Sequence, residues 1–188
     1  MPAPTRLIIA VTGAQGTGKS TFARALHRLV RDELCQDVEL LTDIGAVVEL
    51  QRQGASWTAR DRVLAFAAEH MRRERVATAP IVILDRCLLD ALAYASVLGC
   101  LQTDEHKALL RAAAVSLRRV ALAFRLRVTA DYPITGAADE SPALRRRIDD
   151  AIEVLATSLG VTLREVAGAA SDSVRAAYGQ VLTCYGSH

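Results

Sequence analysis

Short apolar runs alternate along this chain with longer stretches in which apolar residues return every three or four positions, the signature of strands joined by amphipathic helices. The run Arg6-Leu7-Ile8-Ile9-Ala10-Val11 predicts a first strand, and Thr21 to Val30 follows with helical spacing, the helix beginning near Lys19. Val38-Glu39-Leu40-Leu41 predicts a second strand ending in Thr42-Asp43-Ile44-Gly45, after which Ala46 to Gln53 reads as a helix closed by Gly54. Thr58 is placed to cap a long helix from Ala59 to about Thr78, with Val63, Phe66, Ala67 and His70 on one side, and Pro80 stops it.

Ile81-Val82-Ile83-Leu84 is an unbroken run of the kind that forms a central parallel strand covered on both faces. Helices are expected from about Leu88 to Val97 and from Asp104 to Ser116. A fourth strand, about Val120 to Val128, carries Arg125 and Arg127 in alternation with apolar residues, which suggests a sheet edge or a strand end facing a charged site. Ala130 to Pro142 is rich in Pro, Gly, Asp and Ser and too long for a tight turn. It leads into a helix from about Ala143 to Leu159 and reads as a lid over about 130–147. Gly160 ends that helix, Val161 to Val166 makes a fifth strand, and Ser171 to Cys184 a terminal helix. Strands alternating with helices predict an α/β fold, a doubly wound five-stranded parallel sheet with helices on both faces, built as a single domain over residues 1–188.

The link between the first strand and the first helix is Gly13-Ala14-Gln15-Gly16-Thr17-Gly18-Lys19-Ser20, which matches the phosphate-binding pattern G-x-x-x-x-G-K-[ST] at every position. Its glycines let the backbone turn N–H groups onto phosphate oxygens, and the helix starting at Lys19 aims its positive end at the same anion. Residues 13 to 21 are therefore the expected nucleotide contacts, Thr21 included, with Lys19 reaching the β- and γ-phosphates and the Ser20 hydroxyl ligating Mg²⁺. Lys19 and Lys107 are the only lysines among 23 basic residues, which argues against a chance lysine in the loop.

In a doubly wound sheet ligands sit beyond the carboxyl ends of the strands, which gathers Asp43, Asp85, Arg86, the segment after Val128 and Gly168 around that loop. Asp85 suits holding Mg²⁺ directly or through water. Arg86 suits clamping phosphoryl oxygens through paired N–H bonds, a structural pairing with Asp90 being the other use for it. Asp43 stands where it would accept the proton of an acceptor hydroxyl, bind a sugar hydroxyl, or cap the helix after it. Arg145, Arg146 and Arg147 open a helix, a poor place for positive charge, so their clustering suggests a phosphate, and Arg146 is assigned to catalysis among them. Arg72, Arg73 and Arg75 lie within helical reach of Glu69 and Glu74, and ordinary surface pairing accounts for them. His27, His70, His106 and His188 show no metal or triad spacing.

Composition narrows the field. A chain of 188 residues, 51% hydrophobic, can bury one substantial core. A net charge of +2 is no polyanion signature, so nucleic acid is not an expected partner. Cys35, Cys87, Cys100 and Cys184 form no C-x-x-C pair and read as free thiols. With no signal-peptide pattern and no apolar stretch long enough to span a bilayer, no membrane partner and a cytoplasmic location are expected.

Phosphate loop, Asp-Arg after the third strand, lid arginines and terminal strand and helix together resemble the P-loop nucleoside and nucleotide kinases. The span from Ile81 to Tyr94, with its Asp85-Arg86-x-x-x-Asp90-x-x-x-Tyr94 pattern, is most similar to the NadR-type ribosylnicotinamide kinase-like ATPases. The resemblance implies ATP and Mg²⁺ as cosubstrates, an acidic residue beside the acceptor, here Asp43, an arginine-bearing lid, and the base near the loop around Gly168. Relatives often carry Glu-x-x-Arg after the second strand, whereas Asp43-Ile44-Gly45-Ala46 has no arginine, so the resemblance does not fix the acceptor. The expected activity is transfer of the γ-phosphoryl group of ATP to a hydroxyl or phosphate of a small nucleoside-like or nucleotide acceptor. The alternative is a nucleotide-dependent regulatory ATPase or switch acting on a protein partner. Its common forms are disfavoured, because the chain has no Asn-Lys-x-Asp motif and Asp85 is followed by Arg86 rather than glutamate. Oligomeric state is left open by the sequence, a homodimer being compatible with it.

Overall fold

A computed structural model describes residues 6–42, 44–51, 56–129 and 141–186. Five strands, β1 (Leu7–Thr12), β2 (Val38–Leu41), β3 (Ile81–Asp85), β4 (Val120–Leu126) and β5 (Leu163–Val166), pair in parallel in the order β2-β3-β1-β4-β5. The helices are α1 (Lys19–Leu34), α2 (Ile44–Gln51), α3 (Ala59–Val76), α4 (Leu88–Leu98), α5 (Thr103–Leu117), α6 (Pro142–Ser158) and α7 (Ser171–Tyr185). The chain winds outward from β1 through α1 to β2, returns to β3, then crosses to β4, so the strand order reverses at β1 and a crevice opens at its carboxyl end.

Residues of β1 and β3 are buried throughout, as a run without polar interruptions requires. Alternate side chains divide between two cores. Ile8, Ala10, Val82 and Leu84 pack toward α3, α4, α5 and α6. Leu7, Ile9, Val11, Ile81 and Ile83 pack toward α1 and α7, where Phe22 meets Phe124 edge to face at 5.8 Å. The Thr58 cap of α3 forms, with its side chain accepting from Asp61 N and the Asp61 carboxylate accepting from Thr58 N.

One open reading narrows and two element bounds change. Of the edge and the strand end facing charge, the strand carrying Arg125 is the second, since β4 lies between β1 and β5. Arg125 is buried against α6, donating to Asp149 Oδ1 at 3.3 Å, to Asp149 O at 2.8 Å and to Glu153 at 2.9 Å. The fifth strand starts at Leu163 and not Val161, because Val161 N is used to close α6 on Ala156 O at 2.8 Å after Gly160 turns with positive φ. The second helix begins at Ile44, two residues earlier than its pattern suggested. Most of the expected lid, 130–140, lies outside the described residues.

Candidate active site

β1 delivers the chain to Gly13, whose φ of +146° and surroundings exclude any side chain: a Cβ there would lie 2.2 Å from the Leu126 carbonyl oxygen. Gly18, at φ +87°, turns the loop into α1. No side chain caps this helix and its first turn holds no acid, so its first N–H groups stay available to an anion. Lys19 is buried within the loop and donates Nζ to Ala14 O, which also accepts from Thr17 Oγ1 at 3.0 Å. Ser20 is half-buried and Thr21 exposed, at the start of the same helix.

The loop is pinned from beneath by Asp90. This buried carboxylate receives four donors: Thr12 Oγ1 at 3.1 Å, Gly13 N at 3.4 Å, Cys87 N at 2.9 Å and Cys87 Sγ at 3.5 Å. It thereby caps α4 and ties that helix to the first residue of the phosphate loop. Burial together with the Asp90 charge pushes the Cys87 thiol well above its ordinary value.

Asp85 ends β3 opposite Val11 in the pairing register. One oxygen, Oδ2, accepts from Thr42 Oγ1 at 2.7 Å, while Oδ1 is buried with no partner among the described residues. An orphaned carboxylate oxygen beside a phosphate cradle fits a hydrated divalent cation. No cluster of three or more His, Cys, Asp or Glu among the described residues offers a protein-only metal cage. Thr42 is itself held from behind, its carbonyl accepting from Arg73 at 2.7 Å, and Arg73 and Arg72 both pair with Glu69. These two guanidinium groups lower the Glu69 carboxyl to about 2. The surface pairing expected of Arg72 and Arg73 is therefore present, and through Arg73 it also braces the residue that grips Asp85.

Arg86 follows with φ +76°, a left-handed conformation that costs a bulky residue energy, and its N–H continues the ladder onto Val11 O at 3.0 Å. Burial opposes its charge, but Asp90 and a hydrogen bond to Tyr94 hold its pKa above the ordinary arginine value. Of the arginines that open α6, Arg145 is the one brought to the loop: it is 1% exposed and donates Nε to Gln15 O at 2.9 Å. Arg146, the residue singled out from the sequence, is exposed, and Arg147 is exposed and donates to Val97 O. Helical phase explains the difference, because Arg145 shares a buried face with Ile148, Asp149 and Ile152. Gly168 lies half-buried between β5 and α7 with φ +121° and open space around it. Asp43 lies outside the described residues.

A cavity of about 430 Å³ opens directly onto the loop. Gln15, Arg86 and Asp90 form its floor, Val48, Val63, Phe66, Tyr94, Leu98 and Leu144 its apolar walls, and Arg62 stands at the start of α3. Behind Phe66 the ring of His70 stacks in parallel at 6.1 Å. His70 is fully buried 3.6 Å from Glu74, a carboxylate that also accepts from Ser116 Oγ at 2.8 Å. The sequence shows Phe66 only as an apolar position and Arg62 only as one charge among many; the spacing of Asp90 and Tyr94, one helical turn apart, was the available signal for a second site wall.

A family model described as "AAA domain" matches residues 8–172. Among solved structures the chain is similar to thymidylate kinase from Ehrlichia chaffeensis, with a TM-score of 0.64 and 15% identity, covering 97% of this chain and 100% of that one. No curated protein matches by sequence. No helix among the described residues is long and apolar enough to cross a membrane.

Proposed function

The chain belongs to the AAA domain family and has the fold of a P-loop nucleotide kinase-like NTPase, and on that premise we propose that it transfers the γ-phosphoryl group of ATP to a small nucleoside-like or nucleotide acceptor. One observation carries this reading: the phosphate cradle and the 430 Å³ cavity share residues, Gln15 belonging to both and Asp90 touching Gly13 while lining the cavity. On this reading a triphosphate in the cradle would put its terminal phosphate beside the cavity lined by Phe66 and Tyr94. That is a place for a second molecule rather than for water alone.

The work assigned to the protein is positioning and charge neutralisation. The N–H groups of residues 13 to 20 and the start of α1 orient the phosphates, and Lys19 moves from Ala14 O onto the β- and γ-oxygens. Arg86, just after β3, lines the cavity, and Arg145, from α6, donates to Gln15 O of the loop; both are assigned to the charge of the transferring group. Ser20 and Asp85 would hold Mg²⁺, which when bound neutralises phosphate oxygens. Arg146, on the exposed face of α6, is available to phosphate only from the solvent side. Measuring ADP release from ATP with and without a panel of nucleosides and nucleoside monophosphates tests the proposal. Acceptor-dependent turnover is expected; turnover indifferent to the panel points to a regulatory ATPase, and nucleotide binding without turnover to a binding module.

A further inference from the structure

The carboxylate of Asp85 is set by a chain of contacts that begins on α3. Rotation about the bond carrying an aspartate carboxylate is soft, so its two oxygens exchange places unless a partner holds one of them. Thr42 is that partner. Its hydroxyl donates its one proton to Asp85 Oδ2 at 2.7 Å, and Oδ1 is left buried with no partner among the described residues. The two side chains meet because β2 and β3 run in parallel with Leu41 in register with Leu84, which brings Thr42 next to Asp85 at the carboxyl ends of the strands.

Thr42 is fixed in its turn. Its branched Cβ restricts χ1, and Arg73 of α3 donates to its carbonyl oxygen at 2.7 Å. Arg73 is itself held at 2.7 Å by Glu69, a buried carboxylate one helical turn earlier. A buried ion pair adds little stability over apolar residues of its size, and this one reaches away from its own helix to the strand end beside Asp85. The chain from Glu69 through Arg73 and Thr42 therefore settles which carboxylate oxygen of Asp85 is left for a further ligand.

We propose that Thr42, steadied by Arg73 and Glu69, is a positioning residue for the divalent cation: by holding one oxygen of Asp85 it offers the other singly, and so favours Mg²⁺ over Ca²⁺. This rests on the assignment of Mg²⁺ to Ser20 and Asp85 made above, and not on the identity of the acceptor. Mg²⁺ demands near-ideal octahedral geometry and gains from one fixed carboxylate oxygen, whereas Ca²⁺ takes roughly six to eight oxygens in looser geometry and accepts both oxygens of a carboxylate. Released from Thr42, the Asp85 carboxylate would rotate and open both oxygens, a loss for the first ion and a gain for the second.

The test is calorimetric titration of the full chain with a non-hydrolysable ATP analogue in three forms: metal-free in EDTA, saturated with Mg²⁺, and saturated with Ca²⁺. The wild type is expected to bind the Mg²⁺ form most tightly, at least about tenfold above the metal-free form. Thr42→Val keeps the shape and removes the proton; it is expected to weaken the Mg²⁺ form about tenfold, leave the metal-free form within about twofold, and erase the preference for Mg²⁺ over Ca²⁺. Thr42→Ala, carried alongside as a second hydroxyl-free variant, should behave the same way, Thr42→Ser should restore the preference, and Arg73→Met should shift it less in the same direction, circular dichroism confirming that each is folded. Folded hydroxyl-free variants that lose affinity equally for all three forms, or that keep the wild-type ratio of Mg²⁺ to Ca²⁺, overturn the proposal, because the hydroxyl then only ties two strands together. A wild type that binds the metal-free and Mg²⁺ forms equally overturns the assignment of the cation as well, and one that binds none of the three overturns the nucleotide site itself.

Discussion

The two halves of the cleft are built in opposite ways. The phosphate side is main chain: eight consecutive residues, fixed by positive φ at Gly13, Gly16 and Gly18 and by the carbonyl of Leu126 closing on Gly13. The cavity side, assigned to the acceptor under the proposed reaction, is side chain, drawn from α2, α3, α4 and α6, elements far apart in sequence. A backbone site tolerates almost no change of residue at its glycines and reads one feature, negative charge. A side-chain pocket can be retuned one residue at a time, so a fold shared at 15% identity does not carry over what the pocket takes.

That contrast is broken most severely at Gly13. Gly13→Val forces a side chain into the 2.2 Å gap below Leu126 O, and nucleotide affinity is expected to fall at least about 100-fold. Calorimetric titration, with circular dichroism to confirm folding, checks it. Lys19→Ala should keep the fold and lower kcat by about 100-fold, read in the ADP-release assay.

Asp90→Asn sits between the halves. An amide would turn N–H groups toward Gly13 N or Cys87 N, both donors, so a loss of about 1–3 kcal/mol is expected in urea unfolding. Tyr94→Phe removes the oxygen that Arg86 grips and should raise the acceptor KM about threefold to tenfold without moving that of ATP. Steady-state kinetics in both substrates separates the two, and an equal shift in both would erase the division of labour.

The smallest effect is in pH dependence. Glu69 titrates near 2 in the folded chain against 4.5 ordinarily, so its contribution to stability is complete above 4.5 and is lost as pH falls toward 2. Glu69→Gln should lie below wild type in thermal unfolding at neutral pH, with the two curves converging across that window.

The same contrast decides what could be read from the chain before its structure. Strand β3 and the loop at 13–20 are local, each specified by contiguous residues whose pattern has one physical meaning, and the order of strands and helices followed from the same periodicity. The orientation of the lid arginines was not local. Three arginines in a row differ only in helical phase, and the burial of Ile148, Asp149 and Ile152 on one face turned Arg145, not Arg146, onto Gln15 O. Arg125 left an edge and a strand end facing charge both open for a related reason: the carboxylate that decides for the second, Asp149, is 24 residues further on. Asp90, the structural partner offered for Arg86, does act on it through charge, while its hydrogen bonds come from Thr12, Gly13 and Cys87, which no local pattern announces.

The most direct test of the whole account is titration calorimetry of the intact chain with a non-hydrolysable ATP analogue and magnesium, repeated on Gly13→Val and Lys19→Ala. The account predicts one saturable site in the wild type, lost in the first variant and weakened in the second. A folded wild-type protein that gives no heat, or a Gly13→Val protein that binds as tightly as wild type, would contradict it.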